Sequence, residues 1–115
     1  MKYCVSLKKN QDFKFVYNQG KSLANKYLVI YILENGLNEN RLGISVSKKV
    51  GNSVVRHHVT RLVREAYRVN EDIINRGYDI VVIGRVSSNY ASFFDIEKSV
   101  IKLFGLHGIL KEMEL

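Results

Sequence analysis

Four side chains that can bind phosphate recur along one stretch of the sequence. His57, Arg61, Arg64 and Arg68 are spaced by three or four residues, so on a helix they fall within an arc about 60° wide. Like charges at this spacing repel one another by about a few tenths of a kcal/mol per pair, so folding gains nothing from the row. Binding of a polyanion, in contrast, is favoured by the row, because each neutralised phosphate releases counterions. The row therefore predicts a nucleic-acid-binding surface, and an idle solvated face is the alternative.

The residues just before this row supply further groups for binding phosphate. Lys48 and Lys49 end a strand-like segment, and Gly51 allows the backbone to approach a ligand closely. Asn52 or Ser53 can cap the helix that follows, and the free N–H groups of a helix N-terminus attract anions. No Walker A pattern accompanies these residues, so the segment does not predict nucleotide hydrolysis.

One long amphipathic helix, from Ser53 to about Asn75, positions the basic row. Its apolar residues occupy a second arc, centred roughly 170° from the basic one. Arg56 and His58 flank the row at the first turn. The apolar arc, which we expect to face the core, contains Val55, Val59, Leu62, Val63, Ala66, Val69 and Ile73.

Three segments have the composition of β-strands. Tyr27–Leu33 and Arg41–Ser47 are rich in strand formers or alternate in polarity, and Tyr78–Gly84 is a continuous apolar run, as in a strand covered on both faces. A strand, a helix and a strand in succession predict a parallel crossover, and the two strands before the helix are expected to be antiparallel. We expect one α+β domain over residues 1–115, a two-layer sandwich in which three helices pack on a mixed four-stranded sheet.

A short helix precedes the first predicted strand and another follows the last. Asn10 can cap the first, which ends near Gly20, and Ser92 begins the last, with Gly105 at its end. The last helix carries an apolar stripe typical of core packing. The stripe consists of Phe93, Ile96, Val100, Leu103 and Phe104.

The strand Arg41–Ser47 has one apolar and one small polar face. The residues expected to face the core are Leu42, Ile44 and Val46. The residues on the other face, on which a ligand could lie, are Gly43, Ser45 and Ser47. Phe13 and Tyr17, one turn apart on the first helix, and Tyr31 offer aromatic faces on which bases could stack. A solvent-exposed strand face and ordinary core aromatics are the alternatives.

The composition narrows the class of partner. The formal net charge is +7, and residues 1–70 hold 13 Lys and Arg against 4 Asp and Glu, whereas residues 71–115 hold 5 against 7. This basic balance favours a nucleic acid as the partner, and the basic row lacks the Asn or Gln base readers expected of a sequence-specific DNA-binding helix.

Cys4 is the single cysteine, so no intramolecular disulfide or cysteine zinc site can form. The longest apolar run is too short to span a bilayer, so we expect a cytoplasmic protein with no membrane partner.

The segment from Leu42 to Arg68 resembles the hallmark of the bacterial ribonuclease P protein subunit family. That family has a Ser-Val-Ser-Lys-Lys strand end, a Gly-Asn turn and an Arg-Asn-Arg signature on a long helix. This sequence reads LGISVSKKVGNSVVRHHVTRLVREAYR. The resemblance extends over nearly the whole chain, including the first helix, the lead-in Ser22–Asn25 and the strand that ends in Gly84-Arg85.

The resemblance implies a fold similar to the second domain of ribosomal protein S5, in the order αβββαβα with a left-handed βαβ crossover. It also implies that the protein assists a large catalytic RNA, which removes the 5′ leader from precursor tRNA with magnesium. Catalysis is then expected in the RNA, with no catalytic residue, metal or tightly bound cofactor in the protein. The residues implied for leader binding are Phe13, Tyr17, Tyr31, Ser45, Ser47, Lys48, Lys49 and Arg85. Those implied for binding the RNA subunit are Asn52, Arg56, His57, His58, Arg61, Arg64 and Arg68.

Four positions depart from the family pattern. His57 and His58 stand where the signature has Asn-Arg, Thr60 where a lysine is usual, and Val86 where the family often has a basic residue. A protein-only nuclease that uses His57 and His58 is one alternative, although neighbouring helical residues point about 100° apart. A structural RNA-binding protein of ribosomal type with the same fold is the other alternative.

Overall fold

The computed structural model describes residues 1–112 of the chain. Within them, five β-strands and three α-helices follow one another as β1 (Cys4–Ser6), α1 (Asn10–Gln19), β2 (Lys21–Ala24), β3 (Leu28–Glu34), β4 (Asn40–Val46), α2 (Ser53–Val69), β5 (Tyr78–Gly84) and α3 (Phe93–His107). Single 3-10 turns lie at Glu71–Ile73 and Val86–Tyr90. None of the helices in this part of the chain is long and apolar enough to cross a membrane.

The strands form one mixed sheet in the order β1-β4-β5-β3-β2. β4 pairs in parallel with both β1 and β5, whereas β3 is antiparallel to β5 and β2. The predicted α+β class, mixed sheet and parallel crossover through α2 are confirmed. The two strands before α2 run in opposite directions as expected, but they are not neighbours, because β5 lies between them.

The sheet has one more strand than the four predicted. β1 precedes α1 and extends the sheet beside β4, so the order is βαβββαβα. It is attached by backbone bonds on both sides of its three residues: Asn40 N donates to Tyr3 O at 2.9 Å, and Leu7 N donates to Leu42 O at 2.9 Å. A segment of three residues is too short to show alternation, which explains why the sequence pattern did not predict it.

The main core lies between the sheet and the pair α2 and α3. Tyr67 of α2 and Phe104 of α3 meet edge to face with ring centroids 6.2 Å apart. The predicted stripe of α3 is confirmed as core, with Phe93 only partly buried at its edge. The largest fully buried side chains of this core are Leu28, Ile30, Val63, Tyr67, Ile80, Ile96, Leu103 and Phe104.

α1 lies alone on the opposite face of the sheet. A smaller apolar cluster holds it there, formed by the buried side chains of Leu7, Val16 and Val81. Partly buried residues complete this cluster, among them Phe13 and Tyr17. β5 is therefore covered on both faces, as its continuous apolar sequence predicted.

Three helix boundaries differ from the prediction. α2 ends at Val69, not near Asn75, because the side chain of Asn70 turns back to donate to Ala66 O at 2.8 Å. Val69 is consequently 48 % exposed and does not belong to the buried arc, and Ile73 lies in the 3-10 turn that follows. At the start of α1, Asn10 is the first helical residue, not the cap, which is Lys9.

α3 continues past its predicted end. Gly105 lies within the helix, and the chain leaves it at Gly108, whose φ of 77° is in the left-handed region that favours glycine. The predicted start is confirmed, because Ser92 Oγ accepts a hydrogen bond from Asp95 N at 3.1 Å and Asp95 Oδ2 accepts one from Ser92 N at 3.0 Å.

Candidate nucleic-acid-binding site

A cleft lined by aromatic rings separates α1 from the sheet. The rings of Phe13 and Tyr17 lie 6.3 Å apart, and the ring of Tyr17 meets that of Tyr31 edge to face at 5.0 Å. All three side chains are partly exposed. They are therefore neither fully buried core aromatics nor isolated surface rings, and each residue keeps some surface accessible to a ligand.

The register of the sheet explains why these residues meet. Tyr31 on β3 pairs with Val81 on β5, which pairs with Gly43 on β4, so the three lie in one row across the sheet. The next row on the same face contains Ser45 and Ile83. The predicted floor of small residues on β4 is thus confirmed in part: Ser45 borders the cleft, whereas Gly43 is buried beneath α1.

A groove of about 290 Å³ runs along this side of α1. Phe13, Tyr17 and Ser45 border it, together with Asn10 and Lys14, which the sequence analysis did not select. Their spacing could have revealed them, because Asn10 and Lys14 lie three residues before Phe13 and Tyr17 and therefore on the same side of the helix. Partial burial raises the pKa of the Tyr17 hydroxyl, and the neighbouring Ser45 hydroxyl offsets part of this shift.

Gly43 is required for the position of Phe13. A Cβ atom at residue 43 would lie 2.6 Å from Phe13 Cζ and 3.2 Å from Leu7 Cβ. We expect Gly43→Ala to lower the free energy of unfolding by about 1–3 kcal/mol, because the ring must be displaced from a packed face. Urea denaturation followed by circular dichroism measures this change.

The matched control is Gly105→Ala on α3. A Cβ atom there would meet only Leu110 Cδ1, at 3.6 Å, an ordinary contact. Alanine is favoured over glycine inside a helix by roughly 0.5–1 kcal/mol, so this variant should be at least as stable as the parent. Equal stability of Gly43→Ala and the parent protein would contradict the role assigned to Gly43.

The polar residues predicted at the rim lie where β4 and β5 end. Ser47, Lys48 and Lys49 follow β4 and are exposed. Arg85 follows β5, is exposed, and donates from Nη1 to Asn25 O at 2.8 Å. Because Val46 pairs with Gly84 at these strand ends, the lysines and Arg85 stand at the same end of the sheet.

The exposed face of α2 carries the predicted basic row. His57, His58, Arg61 and Arg64 are exposed, and an open groove beside Val54 is lined by both histidines and Arg61. Among the described residues, neither Arg61 nor Arg64 has a carboxylate oxygen within 4.0 Å. These two guanidinium groups therefore face solvent with their charge uncompensated.

Arg68 in the row and Arg56 beside it differ from the prediction. Arg68 forms a bidentate pair with Glu65, with Nε and Nη2 at 2.9 and 2.5 Å from the carboxylate oxygens. This pair was not predicted, although its i,i+3 spacing in the sequence permits it, and the charge of Arg68 is thus partly compensated. Arg56 is only partly exposed, and its Nε is buried without a partner among the described groups.

The start of α2 lies beside the rim lysines. Asn52 caps the helix, since its Oδ1 accepts a hydrogen bond from Val55 N at 3.0 Å. Val50 N donates to Ser47 O at 3.0 Å and closes the turn that contains both lysines. The two lysines, the cap and the basic row of α2 therefore follow one another along the chain, starting three residues after Ser45, which borders the cleft.

The fold and these two surfaces define a nucleic-acid-binding α+β protein. Stacking faces beside a cationic groove suit single-stranded nucleic acid, and uncompensated guanidinium groups on one helix suit phosphates. Within the described residues, no three His, Cys, Asp or Glu side chains come together as a group that could hold a metal ion.

Comparison with known proteins identifies the family. Residues 1–107 match the family model "Ribonuclease P". The chain is 53% identical over 109 residues to the ribonuclease P protein component of Lachnoclostridium phytofermentans, covering 95% of this chain and 94% of the relative. It is 59% identical over 98 residues to that of Clostridioides difficile, covering 84% and 86%. The chain therefore belongs to the ribonuclease P protein family, as its resemblance predicted.

Solved structures agree with this assignment. The RNase P protein of Staphylococcus aureus superposes with a TM-score of 0.85 at 36% identity, covering 92% of this chain and 97% of that one. The RNase P protein of Thermotoga maritima gives a TM-score of 0.80 at 35% identity, covering 86% and 94%. As a member of the family, the chain is an RNA-binding protein component of ribonuclease P, working with its RNA subunit in tRNA processing.

Proposed function

We propose that the cleft between α1 and the sheet binds the single-stranded 5′ leader of precursor tRNA. One observation carries this proposal: the partly exposed rings of Phe13, Tyr17 and Tyr31 lie side by side above the face of the sheet that contains Ser45. Each base that stacks on such a ring contributes about 1–3 kcal/mol to the binding free energy, whichever base it is. A cleft of this kind tolerates the varied sequences of leaders.

The strand ends supply the phosphate contacts of the same cleft. Ser47, Lys48 and Lys49 at the end of β4 and Arg85 at the end of β5 contact the leader backbone in this proposal. Their exposure and their position at one end of the sheet support it. Since phosphate contacts do not distinguish bases, they strengthen leader binding without restricting which leader sequences can bind.

The exposed face of α2 binds the catalytic RNA subunit in the same proposal. Asn52, Arg56, His57, His58, Arg61, Arg64 and Arg68 are the contacts. Arg61 and Arg64 carry most of the electrostatic contribution, because Arg68 shares its charge with Glu65. The two histidines can each donate a hydrogen bond to RNA in the neutral state.

Chemistry takes place in the RNA and not in the protein. His57 and His58 are exposed on adjacent helical positions that diverge by about 100°, an arrangement that does not suit an acid and a base acting on one phosphate. Mg²⁺ is held by the RNA and its substrate, whose phosphates are its usual ligands. The complex acts in the cytoplasm.

Reconstitution tests this assignment. The purified protein, mixed with a bacterial ribonuclease P RNA and Mg²⁺, should increase cleavage of precursor tRNA at the 5′ end of the mature tRNA at low salt. The protein alone should leave the substrate intact. Cleavage by the protein without RNA would place the chemistry in the protein, and no stimulation of the RNA would contradict the proposal as a whole.

A further inference from the structure

A second group of lysines lies beyond the end of the cleft, between the β2–β3 turn and α3. Lys98 and Lys102 are one turn apart on α3, and Lys26 stands on the turn. Together they border a groove of about 280 Å³, next to the ring of Tyr27. We call Lys26, Lys98 and Lys102, with Tyr27 and Tyr90, the α3 lysine patch.

The lysines of this patch form no ion pair within the described residues. None of the three lysine ammonium groups lies within 4.0 Å of a carboxylate oxygen. Asp95 lines the groove and caps its own helix, accepting from Ser92 N at 3.0 Å. These hydrogen bonds with Ser92 lower its pKa most, and the nearby Lys26 and Lys98 lower it further. Like charges at i,i+4 cost about a few tenths of a kcal/mol on a helix, so the spacing of Lys98 and Lys102 gives folding no benefit.

Aromatic rings accompany the lysines. Lys26 Nζ lies 5.2 Å from the centroid of the Tyr27 ring, and Tyr27 meets Tyr90 edge to face at 6.4 Å. Tyr90 is 66% exposed, so one of its faces is open to solvent. Cations beside an open aromatic face are the combination that binds single-stranded nucleic acid without base specificity.

The turn that carries Lys26 is held rigidly in place. Asn25 Oδ1 accepts from Tyr27 N at 3.3 Å and Leu28 N at 3.1 Å, and Asn25 Nδ2 donates to Ser99 O on α3 at 3.4 Å. The Ser87 hydroxyl donates to Lys26 O. The patch is thus preorganised, and a ligand need not order the turn to bind it.

The patch is continuous with the cleft. Arg85, proposed above to contact the leader, donates to Asn25 O at 2.8 Å, and its own N–H donates to Tyr27 O at 2.9 Å. The backbone of one turn therefore joins Arg85, at the end of the cleft, to Lys26 in the patch. An RNA strand that leaves the cleft past Arg85 meets these lysines next.

We propose that the α3 lysine patch is a second single-stranded RNA site, which holds the part of a long leader that extends past the cleft. This inference rests on the proposed function of the cleft and adds that the affinity for a precursor depends on the length of its leader. Precursors with long leaders then bind more tightly than those with short ones, whatever their sequence.

The test uses the reconstituted complex with precursor tRNAs whose leaders are about 4 or about 12 nucleotides long, a range comparable to single-strand site sizes in other proteins. Lys98→Ala/Lys102→Ala should weaken binding of the long-leader substrate about tenfold at low salt. It should also reduce the salt dependence of log Kd by about 1.4 units, that is, about 0.7 for each lost single-strand contact. Binding of the short-leader substrate should be unchanged.

The matched control is Lys2→Ala/Lys111→Ala, which removes two exposed lysines that line neither the cleft nor the patch, one of them beside β1 at the opposite edge of the sheet. It should bind both substrates like the parent. An unchanged affinity of Lys98→Ala/Lys102→Ala for the long-leader substrate would overturn the proposal. Equal losses of affinity for both substrates would also overturn it, because they would indicate contacts with the tRNA body or the RNA subunit. The cleft is tested separately by replacing Phe13. If that variant no longer distinguishes leader-bearing from leaderless tRNA, the result concerns the cleft and not the patch.

Discussion

Phe13→Ala should lower the preference of the complex for leader-bearing over leaderless tRNA by about tenfold or more. The expected size follows from the loss of one stacking face, which contributes about 1–3 kcal/mol per base. Phe13 borders the groove beside α1, 6.3 Å from Tyr17, so the variant removes one of the rings at the groove without changing the basic face of α2. Equilibrium binding of precursor and mature tRNA to the reconstituted complex measures the ratio.

Phe15 on the same helix provides the control. It is 59% exposed and does not border the cleft, so Phe15→Ala should leave the ratio unchanged. Since Phe13 also packs on Gly43 and Leu7, Phe13→Leu should be made in parallel to keep the apolar packing while removing the aromatic face. An equal loss for precursor and mature tRNA in a folded Phe13 variant would refute leader binding in the cleft.

Arg61→Ala/Arg64→Ala should weaken binding of the RNA subunit on the order of 10–100-fold at low salt. Two phosphate contacts are lost, each contributing about 0.7–0.9 to the slope of log Kd against log salt concentration, so the slope should fall by about 1.4–1.8. Both side chains are exposed, and within the described part of the chain no carboxylate neutralises them. Filter binding over a series of salt concentrations gives the affinity and the slope together.

Arg68→Ala is the informative comparison for this prediction. The Arg68 guanidinium holds the pKa of Glu65 below its usual range through a direct hydrogen bond, and this pairing competes with a phosphate. We therefore expect Arg68→Ala to change the slope less than Arg64→Ala does. A double variant Arg61→Ala/Arg64→Ala with an unchanged slope would show that RNA does not dock on this face of α2.

The amphipathic pattern of α2 was sufficient to predict its orientation. Val59, Val63 and Ala66 recur at three- and four-residue intervals and are buried, while Arg61 and Arg64 lie on the opposite side. This part of the prediction succeeded because helical geometry relates sequence spacing directly to the two faces of a helix. The spacing of the arginines was therefore enough to place them together on the exposed side of α2.

Features that depend on contacts between distant segments were harder to predict. α2 ends at Val69 because the Asn70 side chain donates to Ala66 O and also to Glu97 on α3, at 3.0 Å. The contact with Glu97 cannot be predicted from the sequence around Asn70. Gly105 was expected to end α3, but of these two glycines Gly108 is the one that adopts the left-handed backbone. β1 becomes a strand through its pairing with β4 and not through its own three residues.

The partners of individual charges were also outside the reach of local patterns. Arg41 lies in the basic half of the sequence, yet its guanidinium bonds to the buried carboxylate of Asp79, with Nε 2.8 Å from Oδ1. The two residues are 38 positions apart in sequence and meet because their strands are paired in register. Counting basic residues therefore overestimates the charge available to RNA.

The central place of β5 determines when this protein can fold. β5 bonds to both β3 and β4 and supplies Val81 and Ile83 to the floor beneath α1, whereas β2 and β3 are the one pair of neighbouring strands within residues 1–112 that a short turn joins. Most of the sheet is therefore assembled from segments far apart in sequence, a topology that folds slowly. During synthesis, a chain that has not yet released residue 84 from the ribosome lacks the strand that holds the two halves of the sheet together. Its basic helix then lies beside abundant ribosomal RNA while it still lacks β5 and α3, against which it packs in the finished fold.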